Sequence, residues 1–192
     1  IPEIAHYFKP LLKVVDVVDD HRTWPGLSEW RKINISRHYK EVLTLADIVM
    51  TNCRSIQESM AGMHSEILLV ANACDTEPPP DISGEPAFEA FKSIPGPKIG
   101  YVGNLEKAKF DTELIRYTAG LHPEWQIILI GSTHANTEVL ELNRYDNIHF
   151  MGIVTYPEIK AWIRQFDVAV MPHLDSSQTR SMNPLKLYVY CA

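Results

Sequence analysis

Strand-like and helix-like segments alternate along nearly the whole chain, and this order restricts the fold more than any other feature. In the second half, the strand-like segments KIGYVGN, WQIILIGS, NIHFMGIV and DVAVMPH are each followed by a helical segment or the start of one. Such alternation is the pattern of a parallel sheet covered by helices. We therefore predict an α/β fold with doubly wound sheets.

A proline-rich stretch interrupts the alternation. Six of the thirteen prolines fall between Thr76 and Pro97, where the residue type stiffens extended backbone and blocks regular structure. We predict a domain over residues 1–76, an irregular interdomain linker over 77–96 and a second domain over 97–192. In the first domain we expect Ser36 and Ser55 to cap helices, with Glu58 completing a capping box at the second.

Composition excludes several classes of function. The net charge is −6 and no run of Lys or Arg is present, which argues against a broad nucleic-acid face. Three scattered cysteines without a C-x-x-C pair argue against a disulfide framework and a zinc site. No stretch has the roughly 20 apolar residues that a membrane span needs. We expect a cytoplasmic protein, although Ile1 is not a natural start.

Two segments that follow predicted strands could bind a phosphate, since ligands of open parallel sheets bind beyond the carboxyl ends of the strands. In GYVGNLEKAKF, Gly103 lets the backbone approach a ligand, and Lys107 and Lys109 supply charge. The alternative is a tight turn with solvated lysines.

The stronger candidate is TRSMNPLK. Asn183 can cap a helix and Pro184 suits its first position, so the free amides of the first turn form an anion site. Arg180 and Lys186 add positive charge, and a diphosphate could be held without a metal. The alternative is an ordinary helix that starts at a proline.

A third candidate is VVDDHRTW. Asp19, Asp20 and His21 end a strand near Trp24, a mixture that can hydrogen-bond hydroxyls and stack on a sugar ring. The two acids fit solvated loop positions equally well. His173 also follows a strand, but a lone histidine there is more often structural than catalytic.

The order and spacing of DIVMTNCRSIQESM, ILLVANACD, KIGYVGNLEKAKFDTELI, NIHFMGIVTYPEIKAWIRQFDVAVMPH and NPLKLYVY resemble retaining GT-B glycosyltransferases of the glycosyltransferase family 4 type. The resemblance spans the chain from about residue 14. It implies two Rossmann-like domains, both incomplete here, with the acceptor side in 1–76 and the nucleotide-sugar donor side in 97–192.

The resemblance also implies roles for residues, and three positions depart from the family. Gly103 and Lys109 match the family's donor loop, but Asn104 replaces its usual arginine. The acids of the family's E-x7-E pair, of which the second typically holds the nucleotide ribose, fall on Ser181 and Val189. Either this chain belongs to a subgroup with another ribose contact, or it has lost activity.

By resemblance, the reaction is transfer of a sugar from a nucleotide diphosphate sugar to a hydroxyl of a glycan, lipid or small molecule, with retained configuration and no metal or other cofactor. The donor would be held by Gly103, Asn104, Lys109, Arg180, Asn183, Pro184 and Lys186. Asp19, Asp20 and His21 would face the acceptor or the transferred sugar. Enzymes of this kind often dock at the inner membrane face.

Two alternatives use the same architecture, a nucleotide-sugar 2-epimerase and a non-catalytic nucleotide-binding module. A complete doubly wound domain generally has about six strands, against four in the second half of this chain. We therefore expect an unpaired sheet edge through which the chain self-associates.

Overall fold

A computed structural model describes residue 7 and residues 10–134 and 136–192. The chain divides into two compact units. The smaller contains the described residues up to Ala73 together with Asp175–Pro184, and the larger contains Cys74–Leu174 together with Leu185–Ala192. Each unit is therefore built from two separate stretches of sequence.

Both units are of the α/β type. The described strands are β1 (Val14–Val17), β2 (Ile48–Thr51), β3 (Leu68–Leu69), β4 (Lys98–Val102), β5 (Gln126–Ile130), β6 (Ile148–Gly152) and β7 (Val168–Ala169). The described α-helices are α1 (Glu29–Leu45), α2 (Arg54–Ser59), α3 (Pro86–Ser93), α4 (Thr112–Leu121), α5 (Ile159–Ile163), α6 (Ser177–Arg180) and α7 (Leu185–Cys191). Within the same residues, 3-10 helices cover His21–Thr23 and Glu138–Arg144.

The smaller unit has a parallel sheet in the order β1-β2-β3. Its core is formed where α1 and α2 cover this sheet, with Val17, Leu43, Val49, Ile56 and Met60 buried together. β1 and β2 end at the same edge of the sheet because Val17 is in register with Thr51.

The larger unit has a parallel sheet in the order β6-β5-β4-β7. The chain moves outward from β4 to β5 and β6, and then returns to the other side of β4 as β7. This reversal is a topological switch point, and ligands of doubly wound sheets bind there, beyond the carboxyl ends of the strands. The first residues of interest are therefore those that follow β4 and β7.

Helices cover both faces of this sheet, so β5 is a continuous apolar strand. Ile127 and Leu129 pack with one buried cluster, and Ile128 and Ile130 pack with another, because successive side chains of a strand point to opposite faces. The second cluster includes Phe91, which stacks on Trp162 with 4.9 Å between the ring centroids.

The prediction of an irregular linker over 77–96 is wrong for its second half. Pro86 begins α3, where a missing N–H group costs no intrahelical hydrogen bond, and Phe88 and Phe91 of this helix are buried in the core of the larger unit. The compact units also differ from the predicted domain bounds. The first stretch of the smaller unit ends at Ala73 instead of residue 76, and Asp175–Pro184, predicted in the second domain, belongs to the smaller unit.

Two predicted helix caps are wrong because both helices begin upstream of the predicted serines. α1 begins two turns before Ser36, and Ser28 is its N-cap, accepting a hydrogen bond from the N–H of Arg31. α2 has Cys53 at its N-cap position and no side-chain cap bond. Ser36 and Ser55 each lie near a plausible helix start in the sequence, but the first turns of α1 and α2 form further upstream.

No helix in the described ranges is both long and apolar enough to cross a membrane. Within the larger unit, β7 lies at one end of the described sheet, and Val168 is half exposed. The predicted self-association through a sheet edge and the predicted cytoplasmic location, with or without peripheral membrane contact, stay predictions.

Candidate functional site

Gly103 follows β4 at the switch point of the larger unit and has a backbone φ of +148°. A Cβ atom at this position would lie 2.8 Å from Cε of Lys186 and 2.9 Å from the hydroxyl oxygen of Tyr101. Only glycine accommodates both the conformation and the close approach. Gly131, after β5, is comparable: its φ is +142°, and a Cβ there would lie 2.0 Å from the carbonyl oxygen of Gly103.

Positive charge gathers beside Gly103. The ammonium of Lys186 lies 5.4 Å from the centroid of the Tyr101 ring, and it has no hydrogen-bond acceptor or ion-pair partner among the residues that the structure describes. Burial and the neighbouring charge of Lys109 lower the pKa of Lys186, while Glu106 acts in the opposite direction. This desolvated cation is well placed to bind an anion, because an incoming negative charge would compensate it.

Lys109 is partly neutralised. Its ammonium lies 3.4 Å from a carboxylate oxygen of Glu106, and both side chains are about one-third exposed. Two lysines and one carboxylate thus leave a net positive charge at this edge of the sheet. The backbone N–H of Asn104, in the same turn, has no acceptor within the described part of the chain.

α7 is attached to the sheet by a hydrogen bond that the sequence did not reveal. The backbone N–H of Val102, the last residue of β4, donates to the hydroxyl oxygen of Tyr190 at 3.0 Å. Burial raises the pKa of Tyr190 to about 12. Because Tyr190 and Lys186 lie one turn apart on α7, this bond holds the ammonium of Lys186 over Tyr101 and Gly103.

His173 follows β7 and belongs to the same cluster. Burial and the charges of Lys186 and Lys109 lower its pKa. Because it stands alone in its segment, the sequence pattern predicts a structural role for it, but the pairing of Phe110 with His173 brings it beside the loop that carries Lys109.

The remaining predicted donor residues lie in the smaller unit. The guanidinium of Arg180 forms two 2.6 Å hydrogen bonds with the carboxylate of Asp175, so its charge is compensated internally. The side-chain amide of Asn183 donates to the carbonyl oxygen of Asn52 at 2.6 Å. The following helix begins at Leu185, one residue later than predicted, and Pro184 directly precedes it. Their donor roles stay predictions.

The predicted acceptor residues also lie in the smaller unit, where Asp20 is a structural group. Asp20 is only 4% exposed, and its two carboxylate oxygens accept hydrogen bonds from Nε and Nη2 of Arg22 at 2.8 and 2.7 Å. The hydroxyl of Ser59 also donates to Asp20. Asp19 is half-buried, and His21 is exposed, with its ring centroid 4.5 Å from that of Trp24.

The two positions that lack acids have different surroundings. Ser181 is buried, and its hydroxyl donates to the carbonyl oxygen of Gln178 at 2.9 Å. Val189 borders a cavity of about 190 Å³ in the larger unit. The other lining residues are Asp75, Glu77, Pro78, Pro79, Pro80, Tyr156, Pro157, Ile159 and Lys160.

Within the described ranges, no group of three or more His, Cys, Asp or Glu side chains is arranged to hold a metal ion. The expectation that the protein needs no metal or other cofactor stays a prediction.

Comparison with known proteins agrees with the α/β architecture. Residues 96–189 match the family model "Glycosyl transferases group 1". TuaH of Bacillus subtilis (strain 168), whose name assigns it to teichuronic acid biosynthesis as a glycosyltransferase, is 22% identical over 172 residues, covering 86% of this chain and 43% of TuaH.

Two solved structures of Anabaena Alr3699/HepE share the fold. The complex with UDP and glucose has a TM-score of 0.56 at 15% identity and covers 81% of this chain and 45% of HepE. The complex with UDP has a TM-score of 0.57 at 16% identity, covering 82% and 46%. The chain spans less than half the length of these relatives.

These similarities confirm the predicted fold class, an α/β GT-B architecture with parallel sheets. The stretch that matches the group 1 glycosyl transferase model, residues 96–189, contains the Gly103 turn and Lys186.

Proposed function

We propose that this chain provides the donor-binding part of a glycosyltransferase that moves a sugar from a nucleotide diphosphate sugar to a hydroxyl acceptor, with retained configuration. The observation that carries the proposal is the uncompensated ammonium of Lys186 beside Gly103 and Lys109, at the switch point of the larger unit. A doubly wound sheet binds its ligand at this place.

The chemistry of the site fits a departing diphosphate. Breaking the bond between the sugar and the diphosphate places negative charge on the leaving group, and cations fixed nearby stabilise that charge as it develops. Lys186 and Lys109 supply the cations, and the free N–H of Asn104 supplies a neutral donor. The complex of HepE with UDP and glucose supports a nucleotide diphosphate as ligand.

The class of acceptor is proposed from the relatives alone. TuaH carries teichuronic acid biosynthesis in its name, which supports a glycan or a glycan precursor as acceptor. Retention of configuration rests on the resemblance of NPLKLYVY to the donor helix of retaining enzymes.

The test is a calorimetric titration with UDP, GDP and dTDP, comparing the wild-type chain with Lys186→Met. A charged hydrogen bond to a phosphate contributes about 1.5–3 kcal/mol, so this substitution should weaken nucleotide binding at least tenfold. The matched control is Lys107→Met, since Lys107 is exposed and ion-paired with Glu138 in the same unit.

If none of the three nucleotides binds, the proposal of a donor site in this chain is wrong. Equal weakening by both substitutions would show that general charge, rather than the position of Lys186, determines binding.

The second candidate is a non-catalytic nucleotide-binding module. Two observations favour it: the carboxylate of Asp20 is hydrogen-bonded to Arg22, and position 189 is a valine. The two functions differ in their products. An enzyme releases free nucleotide from the donor sugar faster when an acceptor is added, whereas a binding module returns the donor intact.

A further inference from the structure

The backbone at His173 is held in place by hydrogen bonds on both sides. The N–H of His173 donates to the carbonyl oxygen of Met171 at 2.8 Å, and the N–H of the next residue, Leu174, donates to the carbonyl oxygen of Lys109 at the same distance. His173 is therefore fixed at the carboxyl end of β7, across the switch point from β4. Neither ring nitrogen has a hydrogen-bond partner among the described residues.

The charged groups that act on this imidazole come from two elements. Lys109 comes from the loop after β4, and Lys186 comes from α7. Glu106, in the same loop, pairs with Lys109, and the carboxylate of Asp111 caps α4 by accepting from the N–H of Leu114. Each of these two carboxylates is thus engaged elsewhere, and the charges that act on the imidazole are those of the two lysines.

These surroundings keep the imidazole neutral near pH 7, because burial and the two lysines lower the pKa of His173. An anion bound to the same lysines reverses the electrostatic part of this effect. The ring would then be stabilised as an imidazolium and could donate a hydrogen bond to the anion.

We propose that His173 is a third phosphate-binding side chain, and that it takes up a proton from solvent when a nucleotide diphosphate binds beside Lys186 and Lys109. The proposal rests on the proposed function, since it takes the diphosphate as the ligand of this cluster. The proton moves from buffer to a ring nitrogen, and the positive charge gained lies next to the phosphate oxygens.

The linkage has a measurable consequence. A ligand whose binding takes up a proton binds more weakly as pH rises, with Kd increasing by up to about tenfold per pH unit between the pKa values of the free and bound states. Kd no longer depends on pH below the pKa of the free state or above the pKa of the bound state.

The experiment is isothermal titration of the chain with UDP-glucose, GDP-glucose and dTDP-glucose, whose diphosphates have no group that titrates near neutral pH. Titrations at one pH in buffers of different ionisation enthalpy give the number of protons taken up. The test variant is His173→Gln, which retains a hydrogen-bonding side chain that does not titrate. The control is His149→Gln, since His149 is half-buried in β6 of the same unit and its ring is hydrogen-bonded to Gln126.

We expect proton uptake in the wild type and in His149→Gln, and none in His173→Gln, which should also bind more weakly and with a flatter pH dependence. Binding without uptake in the wild type, or uptake retained in His173→Gln, would overturn the role of His173 while leaving the proposed function intact. If none of the three nucleotide sugars binds, both the role of His173 and the proposed function are contradicted.

Discussion

Each unit has a half-buried cation at the site that was predicted from its sequence, and the two cations differ in how their charge is compensated. In the smaller unit, the guanidinium of Arg22 is paired with the carboxylate of Asp20. In the larger unit, Lys186 is half-buried over Tyr101 with no carboxylate within ion-pair distance in the described part of the chain. A paired, largely buried charge becomes costly when its partner is removed, whereas an unpaired one lowers stability until a ligand binds.

The largest effect on folding should come from Asp20→Ala. This substitution leaves the guanidinium of Arg22, whose side chain is 18% exposed, without its bidentate partner. Removing one member of a largely buried pair costs about 3 kcal/mol, and urea unfolding should show this loss. Asp19→Ala is the matched control, and an equal loss there would indicate that the loop, rather than the pair, determines stability.

The same pair gives a dependence on pH. Burial raises the pKa of Asp20, but the hydrogen bonds and charge of Arg22 outweigh burial and hold it below its usual value. A carboxyl group with a depressed pKa in the folded state contributes stability above its unfolded pKa and loses it as pH falls through the folded value. The difference in unfolding free energy between wild type and Asp20→Ala should therefore narrow on strong acidification.

A smaller effect of opposite sign is expected for Lys186→Met. Methionine keeps the apolar stem over Tyr101 and removes the desolvated charge, so the free energy of unfolding without nucleotide should rise by about 1 kcal/mol. The pKa of Lys186 is lowered in the folded state, and so the wild type should gain stability as pH rises through that value. Thermal unfolding of both proteins at two alkaline pH values measures this, and a less stable variant would contradict it.

The smallest effect is expected for Arg180→Ala. Both Arg180 and Asp175 are largely exposed, and exposed ion pairs contribute little because water and salt screen them. We expect unfolding free energy to be unchanged within error. If nucleotide affinity falls nevertheless, Arg180 has a role in donor binding that its pairing with Asp175 conceals.

The sequence allowed Gly103, Lys109 and Lys186 to be predicted as neighbours at one end of the larger unit's sheet, because the signals there are local. Gly103 ends a strand in sequence and in the structure, and Lys109 lies in the loop that follows. Lys186 was placed by its position near the start of a helix. Strand order then follows from the connection rules of doubly wound sheets.

What the sequence missed depends on contacts between distant residues. The Tyr190 hydroxyl accepts from an N–H group 88 positions earlier, and the register of Phe110 with His173 turns a lone histidine into part of a cationic cluster. From the sequence alone Pro86 predicts a break in regular structure, because its position in the first turn of a helix is visible only with Phe88 and Phe91 in the core. In each case the deciding partner lies outside the local window of sequence.

The discontinuity of the larger unit matters during translation. The four strands that the structure describes in this unit leave the ribosome before Leu185, while the side chains of Lys186 and Tyr190 come in the stretch Leu185–Ala192. A nascent chain that stops at Leu174 already has the sheet and most of the apolar core, yet it lacks the ammonium over Gly103 and the bond to Val102. The proposed affinity for an anion would therefore arise only after the scaffold that carries it has left the ribosome.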